Sequence, residues 1–237
     1  MSAISFQLLV LLIDLIFILV AISIGQTPDK YFKERTFITY FSTFQLLGCS
    51  LLAWQTFKLR KINLQTKSYI LWAIFAFCFF YLAIDEVIQI HENLDRGIHK
   101  LFHMKMTNIT DRLDDCIVAL YLIGGFVILY FFRSEIKIYP GLLNYLIVGF
   151  IFAFSMVSLD FITERKDVVR FLIANHDIRK VVYVWLRTIE EIFKLFAGGI
   201  LLGMFYHVKL LTNRLMAMER EVDKSQKEVS VGYKNRY

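Results

Sequence analysis

Six long apolar runs dominate this sequence. They lie at residues 4–24, 37–57, 68–92, 114–132, 141–162 and 182–206. A helix needs roughly 20 mostly apolar residues to cross the hydrocarbon core of a bilayer. Only helices and closed barrels satisfy all their backbone polar groups in lipid. We therefore predict an all-α, polytopic transmembrane helix bundle with about six spans.

The composition leaves little material for anything outside the membrane. The chain is 57% hydrophobic, whereas soluble domains are roughly 45–50% apolar. We predict one transmembrane domain over residues 1–208, followed by a basic tail over residues 209–237. No Lys or Arg precedes the first run, and no small-residue cleavage site follows it, so we expect a retained helix and not a signal peptide.

Positive charge sets the expected orientation. The net charge is +6, with one basic cluster at residues 58–67 and another after residue 208. The positive-inside rule places both clusters in the cytoplasm, although the basic loop 163–181 would then face outward. We expect a multi-pass protein of the cell membrane with a cytoplasmic C-terminus. The tail should contact anionic lipid headgroups and add little to the fold, and the lack of a domain-sized basic segment argues against nucleic-acid binding.

The segment between the third and fourth runs is amphipathic. Its apolar residues recur at helical spacing: Leu94, Ile98, Leu101 and Phe102. This pattern predicts an interfacial helix that continues directly from span 3. His99 and His103 have the i, i+4 spacing of metal ligands, but on such a helix we expect them to be surface residues.

Several acids lie within or near the predicted spans, where a charged side chain costs about 2.5–3.5 kcal/mol at the membrane centre. Spans 3 and 5 carry their acids near their C-terminal ends, and spans 4 and 6 carry theirs in their N-terminal halves. Because successive spans alternate in direction, these positions fall at one depth. We predict one polar site in one half of the membrane. Its candidate metal ligands are Asp85, Glu86, His91, Glu92, Asp115, Asp160, Glu190 and Glu191.

Arg187 and Lys194 are the bases expected at this depth. Glu190 and Lys194 are four residues apart, in the favourable order for a helical ion pair. The two bases are too few to neutralise the acids, so a bound cation or retained protons should make up the difference. Asp14, halfway along the first span, stands alone in the sequence and receives no role.

Three classes of function fit this pattern. The first, which we favour because His91 supplies an imidazole, is a divalent metal site, catalytic or structural, built from carboxylates and an imidazole on facing helices. The second is a proton- or cation-coupled transporter or channel. The third is a structural subunit of an oligomer or membrane complex, in which acids and bases only pair with each other. The identity of the metal and any catalytic residue stay open.

One stretch resembles a known family. Residues 79–92 read Phe-Phe-Tyr-Leu-Ala-Ile-Asp-Glu-Val-Ile-Gln-Ile-His-Glu, and the last span contains Glu190-Glu191. This pattern is similar to an uncharacterised family of bacterial multi-pass membrane proteins that pair an Asp-Glu…His-Glu helix with a later Glu-Glu helix. The likeness covers about residues 68–205. It implies no activity, but it points to the acids and the histidine of these two helices as site residues.

Overall fold

A computed structural model describes residues 1–25, 27–33, 35–62, 67–102, 113–163, 169, 173 and 175–234. The side chains of residues 62, 67, 113–115 and 223–234 lie outside this description. The described part is mostly helical and contains no strand, which confirms the all-α prediction. The helices are α1 (Ala3–Ile24), α2 (Phe37–Ile62), α3 (Ile70–Ile88), α4 (Ile90–Leu101), α5 (Leu113–Phe131), α6 (Arg133–Ile136), α7 (Leu142–Thr163) and α8 (His176–Lys234).

Each predicted span coincides with one of these helices. Within the described residues, five helices are long and apolar enough to cross a membrane: α1, α2, α3, α7 and α8. The remaining predicted span, the fourth along the chain, is α5, whose apolar part is shorter and covers Cys116–Phe131. The chain is therefore a membrane protein by the length and composition of its helices.

Helix α8 is the centre of the bundle, and it packs against α1, α2 and α7. Helix α3 packs on α2, and α5 packs on α7 and α4. Trp72, Phe75 and Phe205 form the middle of the largest apolar cluster. Contacts between α8 and its neighbours show that α1 and α7 run antiparallel to it, whereas α2 runs parallel to it. The molecule thus has two ends, which we call the α4 end and the α6 end after the short helices that lie there.

Glycines on α8 allow α1 and α2 to approach closely. A Cβ atom on Gly199 would collide with the carboxyl group of Asp14, and one on Gly203 would collide with the amide of Gln7. The two glycines are four residues apart, so they lie on one face of α8. Small residues at this spacing are a common basis for close packing of membrane helices.

Two boundaries differ from the prediction. Gln89 adopts a left-handed conformation with φ 58°, so α3 ends at Ile88 and α4 is a separate helix. Helix α8 does not end near residue 206 but continues to Lys234. Its residues Thr212 and Met216 are buried. The start of the predicted tail is therefore part of the packed bundle.

Candidate functional site

Lys194 forms the middle of a group of charges at the α4 end. Its Nζ atom lies 2.9 Å from Oε1 of Glu86 on α3. The same atom lies 2.8 Å from Oε2 of Glu191, one turn earlier on α8. All three side chains are at most one quarter exposed. We call Lys194, Glu86 and Glu191 the lysine centre.

Neighbouring helices contribute polar groups to the lysine centre. The Ser42 hydroxyl on α2 donates a hydrogen bond to Oε1 of Glu86 at 2.8 Å. Beside the centre, the Thr163 hydroxyl at the end of α7 donates to Oε2 of Glu190 at 3.3 Å. The positive charge of Arg187 acts on both Glu190 and Glu191. Helices α2, α3, α7 and α8 therefore meet around one set of ionisable groups.

A second network lies where α3 turns into α4. The backbone N–H of His91 donates to Oδ1 of Asp85 at 2.9 Å, and the imidazole Nδ1 lies 2.9 Å from Oδ2 of the same carboxylate. Arg35 donates to the side-chain oxygen of Gln89 at 2.9 Å, and the Gln89 amide donates to Glu92 at 3.0 Å. These bonds hold the left-handed turn at Gln89. As a result, Asp85 faces the turn, whereas its neighbour in sequence, Glu86, faces Lys194.

The predicted site residues are thus divided between two networks. Glu86, Glu191 and Lys194 are in direct contact, with Glu190 and Arg187 beside them. Asp85, His91 and Glu92 belong to the turn. Asp160 lies one turn before Thr163 on α7, and its backbone carbonyl accepts a hydrogen bond from Thr163. The side chain of Asp115 lies outside the described residues.

The salt bridges of Lys194 differ from the pair expected from sequence. Helical spacing favoured Glu190, four residues earlier, but the ammonium group bonds to Glu191 and to Glu86 instead. Glu86 comes from another helix and decides the direction of the lysine side chain. Glu190 is turned toward Thr163 on α7.

Two features of the described residues bear on the predicted metal site. Within the described residues, no group of three or more His, Cys, Asp or Glu side chains is arranged to hold a metal ion. The ammonium group of Lys194 occupies the position between Glu86 and Glu191 where a cation would bind. The predicted divalent metal stays a prediction, and the side chain of Asp115, one of its predicted ligands, lies outside the described residues.

The sequence did not indicate the role of Asp14. This residue is fully buried in α1, and its Oδ1 atom accepts a hydrogen bond from the Gln45 amide on α2 at 2.6 Å. Its Oδ2 atom has no hydrogen-bond partner among the described residues. The glycines of α8 are the sequence feature that could have indicated this contact. A polar group in one membrane helix needs space and a hydrogen-bond partner, and neighbouring helices supply both.

A second buried acid, Glu135, was also missed. Arg60 donates two hydrogen bonds to its carboxylate at 3.0 and 3.2 Å, and the Trp72 indole N–H donates a third at 3.0 Å. Tyr139 lies 3.5 Å from the carboxylate and 3.1 Å from the Thr212 hydroxyl. Burial raises the pKa of Tyr139 to about 12, so its phenol stays neutral. This Glu135 cluster ties α2, α3, α6 and α8 together at the α6 end.

His99 was expected at the surface, but it is buried in α4. Its imidazole Nδ1 lies 2.9 Å from the carboxylate of Asp95, which is also buried. The apolar residues Leu94, Leu101 and Phe102 are instead the exposed ones. An exposed apolar face agrees with a helix that lies at the membrane interface, whereas His103 lies outside the described residues.

Residues 3–210 match the model of a protein family, the domain of unknown function DUF8692. The chain belongs to the DUF8692 family. The match begins with α1 and reaches past residue 208 in α8, so the family's domain includes the lysine centre and, except for Thr212, the Glu135 cluster. No curated protein and no solved structure matches this DUF8692 protein.

Proposed function

We propose that this DUF8692 protein is a proton-coupled transporter or channel and that its lysine centre binds the proton. The observation that carries this proposal is the position of Lys194 between carboxylates of two different helices. One ammonium group bonds to two acids at once, but its single positive charge compensates only one of their two negative charges. A proton bound to one carboxylate would weaken the salt bridge of that carboxylate to Lys194. Binding and release of the proton would therefore change which helix Lys194 is bonded to.

The charge balance supports the same function. Three carboxylates, those of Glu86, Glu190 and Glu191, share this region with two bases, Lys194 and Arg187. An uncompensated carboxylate is costly within a membrane and becomes neutral by taking up a proton or a cation. Because an ammonium group already occupies the place between two of the acids, a proton is the ion that fits best.

Proton flux into liposomes tests this function. The purified protein is reconstituted with a pH-sensitive dye inside, and a potassium diffusion potential drives the flux. We expect the wild-type protein to acidify the lumen, and Lys194→Met or Glu191→Gln to reduce the flux to that of empty liposomes. Asp177→Asn serves as the control, because this carboxylate is almost fully exposed.

A structural ion pair would give a different result. The wild-type protein would then show no flux, and the Lys194→Met variant would only lower the melting temperature. This outcome would favour the third class, a subunit of an oligomer or a larger membrane complex.

A divalent metal is the competing occupant, and elemental analysis of the purified protein separates the two. We expect less than one divalent ion per chain after dialysis. A stoichiometric metal that disappears in Glu86→Gln would overturn the choice of the proton and support the metal site.

The orientation and the lipid contacts belong to the same proposal. Lys58 and Lys61 near the end of α2, together with the basic end of α8, favour a cytoplasmic α6 end in the cell membrane. The basic residues after 208 would then meet anionic headgroups. The lysine centre would lie in the non-cytoplasmic half.

A further inference from the structure

Asp14 lies midway along α1, one of the helices long enough to span a membrane. It lies about 15 Å along the helix axis from Ile24 and roughly 16 Å from Ala3. Its side chain is fully buried between α1, α2 and α8. The atoms that surround the carboxyl group belong to Gln45 on α2, Val10 on α1 and Gly199 on α8. The carboxyl group is therefore closed off from both ends of the bundle.

Asp14 differs from the other buried acids in its partners. The acids paired with cationic or imidazole groups are Asp85 with His91, Glu86 and Glu191 with Lys194, Asp95 with His99, and Glu135 with Arg60. Among the described residues, no lysine, arginine or histidine forms a salt bridge with Asp14. An isolated carboxylate is among the most costly groups to place in an apolar interior, and it neutralises instead.

We propose that Asp14 is a proton-binding site in the core of the membrane, holding an exchangeable proton on its carboxyl group. The ligand is the proton itself, since the glycine surface of α8 leaves no room for a larger ion beside Oδ2. The buried atoms Oδ2 of Asp14, Oε1 of Gln45 and Oε1 of Gln7 are acceptors without a described donor. A protonated Asp14 supplies a donor to this group.

The contact with Gln45 agrees with a protonated acid. The heavy atoms are 2.6 Å apart, which is shorter than the usual N–H···O distance of about 2.9 Å and close to the O–H···O distance of about 2.7 Å. A half rotation of the amide brings Oε1 of Gln45 to the carboxyl group. The amide oxygen then accepts the hydrogen bond that the acid donates.

The position of Gln45 connects Asp14 to the lysine centre, a step that rests on the proposed function. Ser42, which contacts Glu86, lies one turn before Gln45 on α2. In the transfer, the O–H bond of Asp14 breaks and an O–H bond forms on Glu86. Because Asp14 is closed off in this conformation, the helices must separate to admit the water molecule that carries the proton. Negative charge moves in the opposite direction, from Glu86 to Asp14. The two sites are about 8 Å apart in depth, judged from Lys194 and Gly199 on α8.

Infrared spectroscopy of the full-length protein in lipid tests the site itself. A protonated carboxylic acid has a carbonyl band that is separate from the amide and carboxylate bands and shifts in D2O when its proton exchanges. We expect this band in the wild-type protein and its loss in Asp14→Asn. Asp29→Asn is the matched control, since Asp29 is ionised beside Lys33 at 3.2 Å and should not contribute.

A second variant keeps the test valid if Asp14→Asn does not fold. Gln45→Leu removes the hydrogen-bond partner and leaves the acid, so the band should remain and move in frequency. A wild-type spectrum without an exchangeable acid band, or a band that is unchanged in both variants, would overturn the proposal.

Proton flux then separates this site from the proposed function. If the band belongs to Asp14 but the wild-type protein carries no flux, the Asp14 site stands and the proposed function fails. If flux requires Lys194 but persists in Asp14→Asn, the function stands and the connection between the two sites fails. We expect both Lys194→Met and Asp14→Asn to abolish flux.

Discussion

Each buried charge of this protein is surrounded by a different set of partners, and the partners decide what the charge can do. Glu135 receives hydrogen bonds from Arg60 and Trp72 and lies close to Tyr139. Its negative charge is fully compensated, which suits a structural role. Glu86 and Glu191 share one ammonium group between them. Because one positive charge compensates only one of these two negative charges, the lysine centre is more reactive than the Glu135 cluster.

The first prediction concerns Glu135. Glu135→Ala leaves the guanidinium group of Arg60 buried without its partner, so we expect the free energy of unfolding to fall by about 3–5 kcal/mol. Thermal unfolding in detergent measures the change. Glu221→Ala, on the exposed surface of α8, is the control. A loss for Glu135→Ala no larger than that of the control would show that the cluster does not stabilise the fold.

Asp29 shows the opposite situation outside the membrane. Burial alone would raise the pKa of Asp29, but hydrogen bonds from Thr27 and Lys33, together with the charge of Lys33, hold it below its usual value. The group therefore stays ionised at neutral pH. It loses this form only when the pH falls through the lowered pKa, so its contribution to stability persists well into the acidic range.

At the scale of helices, α8 determines which neighbours can approach. Gly199 faces α1, whereas Gly124 on α5 has open space around it. Gly199 thus permits a close contact between α8 and α1, whereas no neighbouring group lies within 4 Å of the place where Gly124 would carry a Cβ atom. A pair of matched substitutions can measure the difference.

The second prediction compares Gly199→Leu with Gly124→Leu. The first forces a large side chain against Asp14, and overpacking of this kind typically costs about 1–3 kcal/mol. The second adds a side chain to open space and should be nearly neutral. Melting temperatures of the two variants give the comparison. Equal melting temperatures would mean that α1 does not pack closely on α8.

The third prediction concerns the length of α8 that the fold needs. Thr212 bonds to Tyr139, and Leu211 packs against the apolar core. Truncation after residue 210 should therefore yield aggregated protein, whereas truncation after residue 222 should yield folded protein. Size-exclusion chromatography in detergent distinguishes the two. Folded protein from the shorter chain would restore the tail boundary predicted from sequence.

The sequence determined the helices well because apolar length is a local property. It did not determine the break at Gln89, since Ile88-Gln89-Ile90 contains no glycine or proline, and the turn depends on hydrogen bonds from Arg35 and to Glu92. The salt-bridge partners of Lys194 could not be predicted from the sequence either. Spacing along one helix favoured Glu190, and only the packing of α3 against α2 brings Glu86 into reach.

For the molecule as a whole, charge is distributed unevenly between the two ends. The α6 end carries the basic residues of α2 and of α8 after residue 208, and the α4 end carries the lysine centre. Asp14 lies between them. A proton entering from one end would therefore meet two sites in order of depth.

The fourth prediction is the orientation of the bundle. Single cysteines at positions 177 and 221 lie near opposite ends of α8, in a background without Cys116, the exposed native thiol. We expect an impermeant thiol reagent to label position 177 in intact cells and position 221 only after permeabilisation. The reverse labelling would place the lysine centre in the cytoplasmic half.

The unbroken length of α8 has a mechanical consequence. The helix has 59 residues and is about 88 Å long, whereas the hydrocarbon core is about 30 Å thick. The part after Met216, the last buried residue described in α8, extends for roughly 27 Å. A tilt of the helix by about 10° would move its end by roughly 5 Å relative to Met216. Lys194 is part of the same helix, so a small tilt of α8 at Lys194 produces a larger displacement at the C-terminal end of the helix.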